Sequence, residues 1–322
     1  MQEPSLDSAA GVVIYIHNDT HLFTGAVMNT TNFLLLAVSL SAAVLGTSIN
    51  NKAAKQWIKN QNDNLLFNLL LNIMSTICML AAARSFRAHS VTVFLAFVFG
   101  LCNMLSGICF TMVFRFGPMS LSSLITSAGT MIVTTVLGVI IFHEKVAGIQ
   151  IAGILLILVS IGLLFNPGEE GNIRPVWFFF IFLYWLFGGS LGIIQKLQGA
   201  TGLSGEKTVF LLYTFIFCSL FNAIWLFFSN RREGAEKITI SIKSILLFTV
   251  IAGLTTAAQH IINLKLAIEM PAAVFFPINS GASIILCSLV SSFYFHEKIT
   301  VKQKASLAIG FAAMFLVAGI FG

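Results

Sequence analysis

The stretch Phe142-His143-Glu144-Lys145 reappears as Phe295-His296-Glu297-Lys298, 153 positions further on (295 − 142). The same displacement, without a gap, carries Gly100-Leu101 onto Gly253-Leu254, Pro118 onto Pro271, Ser127 onto Ser280 and Gln150 onto Gln303. A match held in register from position 100 to the end of the chain is an internal duplication. Two copies of one unit therefore make up the chain, and composition says what each copy is built from.

Of the 322 residues, 57% are hydrophobic and 9% charged, and mean hydropathy is +0.93. Soluble domains carry about 25% charged residues, so most of this chain is not built for water. About 20 consecutive apolar residues span the hydrocarbon as a helix, and lipid demands that backbone groups be satisfied within the segment. Apolar runs between polar breaks predict ten spans: 33–54, 64–83, 92–113, 118–141, 147–166, 175–197, 207–229, 244–267, 271–295 and 301–321. Aromatic residues gather at Trp57, Trp177, Tyr184 and Trp185, as in interfacial aromatic belts. The five cysteines all fall inside apolar runs without metal spacing and read as small packing residues. The net charge of +6 belongs to the loops, which suits an anionic lipid surface and not nucleic acid.

The repeat boundary falls near Pro167, giving a first five-helix unit at 31–166 and a second at 167–322. Five is odd, so the second unit crosses the membrane upside down relative to the first. The expected fold class is an all-α integral membrane protein with ten transmembrane helices in two inverted five-helix repeats. Residues 1–30 have neither a basic start nor a clean apolar run. They read as a disordered tail, or as upstream of a true start at Met28. Orientation signals conflict with the family expectation below. Loops on the side away from the termini hold 12 basic residues (Lys52, Lys55, Lys59, Arg115, Arg174, Arg231, Arg232, Lys237, Lys243, Lys298, Lys302, Lys304) against 6 on the terminal side (Arg84, Arg87, Lys145, Lys196, Lys207, Lys265). By the positive-inside rule alone, both termini lie outside.

In each half a proline (Pro118, Pro271) opens the fourth helix, the Phe-His-Glu-Lys tetrad closes it, and a Gln (Gln150, Gln303) follows in the fifth. On these residues the chain resembles the drug/metabolite transporter superfamily, of the EamA type, over positions 30–322. Ser306 stands where that family often has a glycine, aligned here with Gly153. The resemblance implies a polytopic carrier of small metabolites in the cell membrane of a bacterium, with cytoplasmic termini. It also implies a central cavity lined chiefly by the third and fourth helices of each half.

Polar residues inside the spans mark the candidate site. In the eighth span Thr256, Gln259, His260 and Asn263 are spaced three and four apart and share one helical stripe. Such a stripe faces the bundle or a watery cavity, because facing lipid is costly. The 153-residue displacement relates Thr256 and Gln259 to Asn103 and Ser106 in the third span. Asn279 and Ser280 follow Pro277 within the ninth span, and Ser127 occupies the matching place in the fourth. Asn103, Ser106, Ser127, Gln259, His260, Asn263, Asn279 and Ser280 are therefore the candidate substrate contacts. His260 reads either as a neutral packing histidine or as a substrate- or proton-linked one. Gly188-Gly189-Ser190-Leu191-Gly192 reads as a surface for close helix packing within one bundle, or for dimerisation.

The tetrads invite a zinc reading, which requires a second His four residues on; positions 147 and 300 are Ala and Thr. Glu144, Lys145, Glu297 and Lys298 are better read as helix-end groups that pin a hairpin, or as gating residues. No Asp or Glu sits mid-span, so cation/proton antiport lacks a carboxylate. Lys52, Arg115, Lys196 and Lys265 read as snorkelling helix-end bases, or as partners for an anionic substrate. No phosphate-binding G-x-x-x-x-G-K-[ST] motif is present, so an ATP-binding function is not expected. The expectation is a non-enzymatic secondary carrier for a small polar metabolite (amino-acid-like, sugar-like or an organic anion) without cofactor or metal. Its partners are a small-molecule substrate and the lipid bilayer, and it acts as a monomer or homodimer. A lipid-carrier flippase or a non-transporting membrane protein of the same fold is the alternative.

Overall fold

The computed structural model describes residues 30–83, 85–117, 119–143, 147–164, 175–231, 236–270, 272–294 and 301–317. Among them lie ten α-helices: α1 Thr30–Gln56, α2 Gln61–Ala82, α3 Ser90–Phe116, α4 Met119–Phe142, α5 Gly148–Leu164, α6 Pro175–Ala200, α7 Lys207–Asn230, α8 Ile242–Glu269, α9 Ala272–Tyr294 and α10 Val301–Val317. One 3-10 turn, Ser204–Glu206, joins α6 to α7, and no strand occurs among the described residues. Each helix falls on one of the ten apolar runs. Eight of them, all but α5 and α10, contain segments long and apolar enough to cross a membrane. The chain is thus an integral, multi-pass membrane protein. Residues 1–29, the repeat boundary at Pro167, and Glu144, Lys145, Glu297 and Lys298 lie outside the described residues.

The distribution of side chains is the reverse of a soluble protein's. Large apolar groups face outward, such as Phe293 (78% exposed), Leu247 (66%) and Phe94 (65%). Asn51, Asn64, Ser75 and Thr111 are fully buried. An exterior of this kind is stable only in contact with lipid.

The helix ends follow from local chemistry. Gly117 and Met270 each precede a proline and adopt extended backbone, φ −143° and −121° respectively. The proline ring clashes with a helical preceding residue, so α3 and α8 stop there. These two positions are themselves related by 153 residues (270 − 117). At the end of α4, His143 takes φ 51°, the left-handed conformation that closes many helices and that His tolerates better than most residues. The N-cap Asn60 accepts from the Asp63 amide at 2.8 Å, while Asp63 Oδ2 accepts from the Lys59 amide at 3.1 Å.

The packing brings α3 against α6 and α7, and α8 against α1 and α2. Helix α2 also packs on α7, α4 on α9, and α5 on α10, while α4 meets α6 and α9 meets α1. Close approach at two of these crossings depends on glycine. A Cβ on Gly100 would lie 2.8 Å from the Thr214 carbonyl oxygen of α7 and 2.9 Å from Phe217 Cβ. On Gly253 it would lie 2.9 Å from the Leu71 carbonyl oxygen of α2 and 2.5 Å from Met74 Cβ. Ser306 hydrogen-bonds across the α5–α10 contact. The Ser160 hydroxyl lies 2.7 Å from the Ser306 carbonyl, and the Ser306 hydroxyl reaches the Ser160 carbonyl.

Two sequence readings are corrected by this packing. Trp177 is fully buried and donates its indole N–H to the Val113 carbonyl at 3.1 Å. Trp185 donates to the Ile125 carbonyl at 2.8 Å. These two rings close interior helix contacts, each finding a backbone acceptor inside the bundle instead of facing outward. Lys196 does not snorkel: it is 4% exposed on α6, with its ammonium 5.1 Å from the Phe142 ring centroid.

Candidate functional site

A cavity of about 280 Å³ lies at the centre of the bundle, with walls supplied by α1, α2, α3, α4, α6, α8 and α9. Its volume is at the low end of small-molecule sites, roughly 300–1,000 Å³. All eight candidate residues line it: Asn103 and Ser106 from α3, Ser127 from α4, Gln259, His260 and Asn263 from α8, and Asn279 and Ser280 from α9. The helical stripe on α8 thus faces inward, and the third and fourth helices of each half converge there.

Hydrogen bonds hold several of these groups in place. Ser39 Oγ of α1 donates to Asn263 Oδ1 at 2.6 Å, and Ser106 Oγ donates to the Asn103 carbonyl at 3.0 Å. His260 Nδ1 is 3.2 Å from Gln195 Nε2 of α6. Its ring stands edge-on to Phe99 and Phe215, with centroids 5.6 and 5.5 Å away. His260 therefore both lines the cavity and packs against two aromatic rings, so the two sequence readings of it are not exclusive. Helix α9 runs unbroken through position 277, and Asn279 Oδ1 is buried without a hydrogen-bond partner among the described residues.

The sequence reading passed over a second polar set. Asn64, Asn68 and Asn72 form a ladder on α2, four residues apart. Asn68 Nδ2 donates to Asn64 Oδ1 at 2.7 Å and Asn72 Nδ2 to the Asn68 carbonyl at 2.7 Å. Asn68 and Asn72 line the cavity, as do Asn50, Tyr184, Gln195, Thr126, Thr130 and Thr134. The four-residue spacing of the asparagines in an apolar run was the available signal. Phe110 stacks on Tyr184, with centroids 5.1 Å apart and planes at 26°, and gives the cavity one aromatic wall.

No Asp, Glu, Lys or Arg appears among the described residues of the lining. The basic residues Lys52, Arg115, Lys196 and Lys265 all lie elsewhere. Lys52 sits 4.7 Å from the Phe248 ring centroid, and the Arg115 guanidinium donates to the Lys59 carbonyl. Lys265 Nζ lies 3.9 Å from Glu269 one turn on. Among the described residues no group of three His, Cys, Asp or Glu could hold a metal ion.

Acidic groups act instead at the two ends of the bundle. Asp63, at the start of α2, accepts from the Thr239 amide and hydroxyl (both 2.7 Å) and the Ile240 amide (3.1 Å), just ahead of α8. Glu206, just before α7, accepts from the His89 amide at 3.1 Å and from Thr92 Oγ1 at 2.5 Å, at the start of α3. Partial burial pushes the Glu206 carboxyl up, but these hydrogen bonds and the nearby His89 outweigh it and hold the group below its ordinary value of 4.5.

No family model matches the chain, and no curated protein matches it. The fold does recur among solved structures. One, described only as a crystal structure of protein, superposes with a TM-score of 0.64 over 89% of this chain and 99% of its own, at 12% identity. Likeness at that identity concerns the fold alone.

Proposed function

We propose that the chain is a secondary carrier for a small polar metabolite, of the drug/metabolite transporter type, in the plasma membrane of a bacterium. It would work by alternating access of two inverted five-helix repeats, 31–166 and 167–322. The observation that carries this reading is a polar cavity at the centre of a bundle whose exterior is apolar. Burying so many amides and hydroxyls is costly unless something polar occupies the space they surround.

The repeat reading is supported by the pattern of contacts. Adding five to a helix number turns α3–α6 into α8–α1, α3–α7 into α8–α2, and α4–α6 into α9–α1, and leaves α2–α7, α4–α9 and α5–α10 unchanged; all these contacts are present. Gly100 and Gly253 occupy equivalent crossings, and Asp63 and Glu206 clasp equivalent helix starts. At 17 residues, α5 and α10 are each about 25 Å long. That is the short end of what spans a bilayer, so their lengths are compatible with ten crossings. Two repeat-related gates around one central site then follow from symmetry.

The test is counterflow of labelled solutes into proteoliposomes. Wild-type protein should exchange a solute from one chemical pool. Gln259→Ala and Asn279→Ala should abolish that exchange while remaining folded in the membrane. Wild-type rates in both variants would remove this cavity as the site.

A further inference from the structure

We infer that the solute is uncharged and rich in hydroxyl groups, a polyol or sugar small enough for one central cavity. The inference rests on that cavity being the substrate site. Its carrier is the way the wall has already spent its donors. Thr126 Oγ1 donates to the Ser122 carbonyl at 2.6 Å, Thr130 to Thr126 at 3.1 Å and Thr134 to Thr130 at 2.7 Å. Ser106 likewise donates to the Asn103 carbonyl. A hydroxyl has one hydrogen to give and two lone pairs to accept with. Each of these four therefore meets a ligand as an acceptor only.

The amides lean the same way. Asn72 and Asn50 each give one amide hydrogen to a carbonyl of their own helix, at 2.7 and 2.9 Å. Asn279 Oδ1 is an acceptor without a donor among the described residues. Buried acceptors in that condition are rare and call for a partner. A ligand that satisfies this wall must bring several O–H or N–H groups, while the remaining amide hydrogens can bond its oxygens.

Charge then separates the donor-rich candidates. An ammonium group would find acceptors here but no carboxylate among the described lining residues, and a carboxylate or phosphate would find no Lys or Arg there. Removing an ion from water without a counter-charge is expensive in a membrane protein. An amino acid carries both difficulties. A polyol carries neither, and the stacked Phe110–Tyr184 pair offers a flat apolar surface for the C–H face of a sugar ring.

Two measurements on the purified full chain separate this inference from the carrier reading. Thermal melting in detergent reads occupancy of the cavity, and counterflow in liposomes reads transport. The probes are four pools: neutral sugars and alditols, zwitterionic amino acids, dicarboxylates, and choline-like cations. The expected result is a melting temperature raised by the neutral pool alone. Thr130→Val should weaken that stabilisation, raising the half-saturating concentration about tenfold for the one lost acceptor. Valine keeps the volume of the side chain, so the variant should fold. Stabilisation and counterflow by amino acids or dicarboxylates, with sugars inert, would overturn the inference and leave the carrier reading intact. Stabilisation by sugars with no counterflow from any pool would uphold the inference and remove the carrier reading. If no pool moves either readout, both fall.

Discussion

At the scale of single residues, the strongest constraints sit at glycine crossings and at one acidic cap. A methyl group on Gly100 or Gly253 would press on backbone of the partner helix, which cannot rotate away as a side-chain tip can. Gly100→Ala and Gly253→Ala should each destabilise the bundle by about 1–3 kcal/mol, the usual cost of overpacking. Melting in detergent checks this, and an unchanged midpoint for either variant would contradict the crossing described. Glu206 makes a different, pH-dependent contribution. Its folded-state pKa is lowered, so its stabilisation is fully present above the ordinary value of 4.5 and is lost as the pH falls through the folded value. Glu206→Gln should flatten the acid limb of the melting profile while costing about 1–2 kcal/mol at neutral pH. An acid limb identical in both proteins would rule out the role given to this carboxylate. The eight candidate site residues were legible because a polar group inside an apolar run has few places to go. Asn68, Asn72 and Gln195 obey the same rule and were passed over. Asn68 and Asn72 lie in a polar stripe with Asn64 and Ser75 that is spaced like the one on α8, but only the fold shows which faces converge.

At the scale of elements, hydropathy located the helices closely. The expected span 175–197 became Pro175–Ala200, and 207–229 became Lys207–Asn230. Prolines and the left-handed His143 account for sharp ends, since each acts through its own backbone geometry. Aromatic residues were less readable. An indole in an apolar run suits either the headgroup region or an interior carbonyl acceptor. Trp177 and Trp185 took the second course because Val113 and Ile125 lie opposite them. The glycine-rich face of α6 also found partners within the chain: a Cβ on Gly189 would lie 2.6 Å from Val133 of α4, and one on Gly192 2.5 Å from Phe276 of α9.

At the scale of the whole molecule, the inverted repeat proposed above makes a prediction about sidedness. The link from α1 to α2 and the link from α6 to α7 are equivalent under the repeat, so inversion puts them on opposite faces. Lys59→Cys and Gly205→Cys should therefore be labelled by a membrane-impermeant maleimide from opposite sides. Position 205 has open space around a would-be Cβ, so the substitution is sterically free there, and the native cysteines lie within helices. Labelling of both from one side would exclude the inverted arrangement, whatever the solute proves to be. The sequence by itself determined where the helices are and that its polar groups must turn away from lipid. Those properties depend on local backbone chemistry and on the cost of transfer into hydrocarbon, both of which a linear pattern records. Tertiary structure alone decided which polar faces meet, that α2 and α6 complete the cavity wall, and that Asp63 and Glu206 clasp α8 and α3. These are contacts between residues far apart in sequence, where helix crossing geometry, and not residue type, selects the partner.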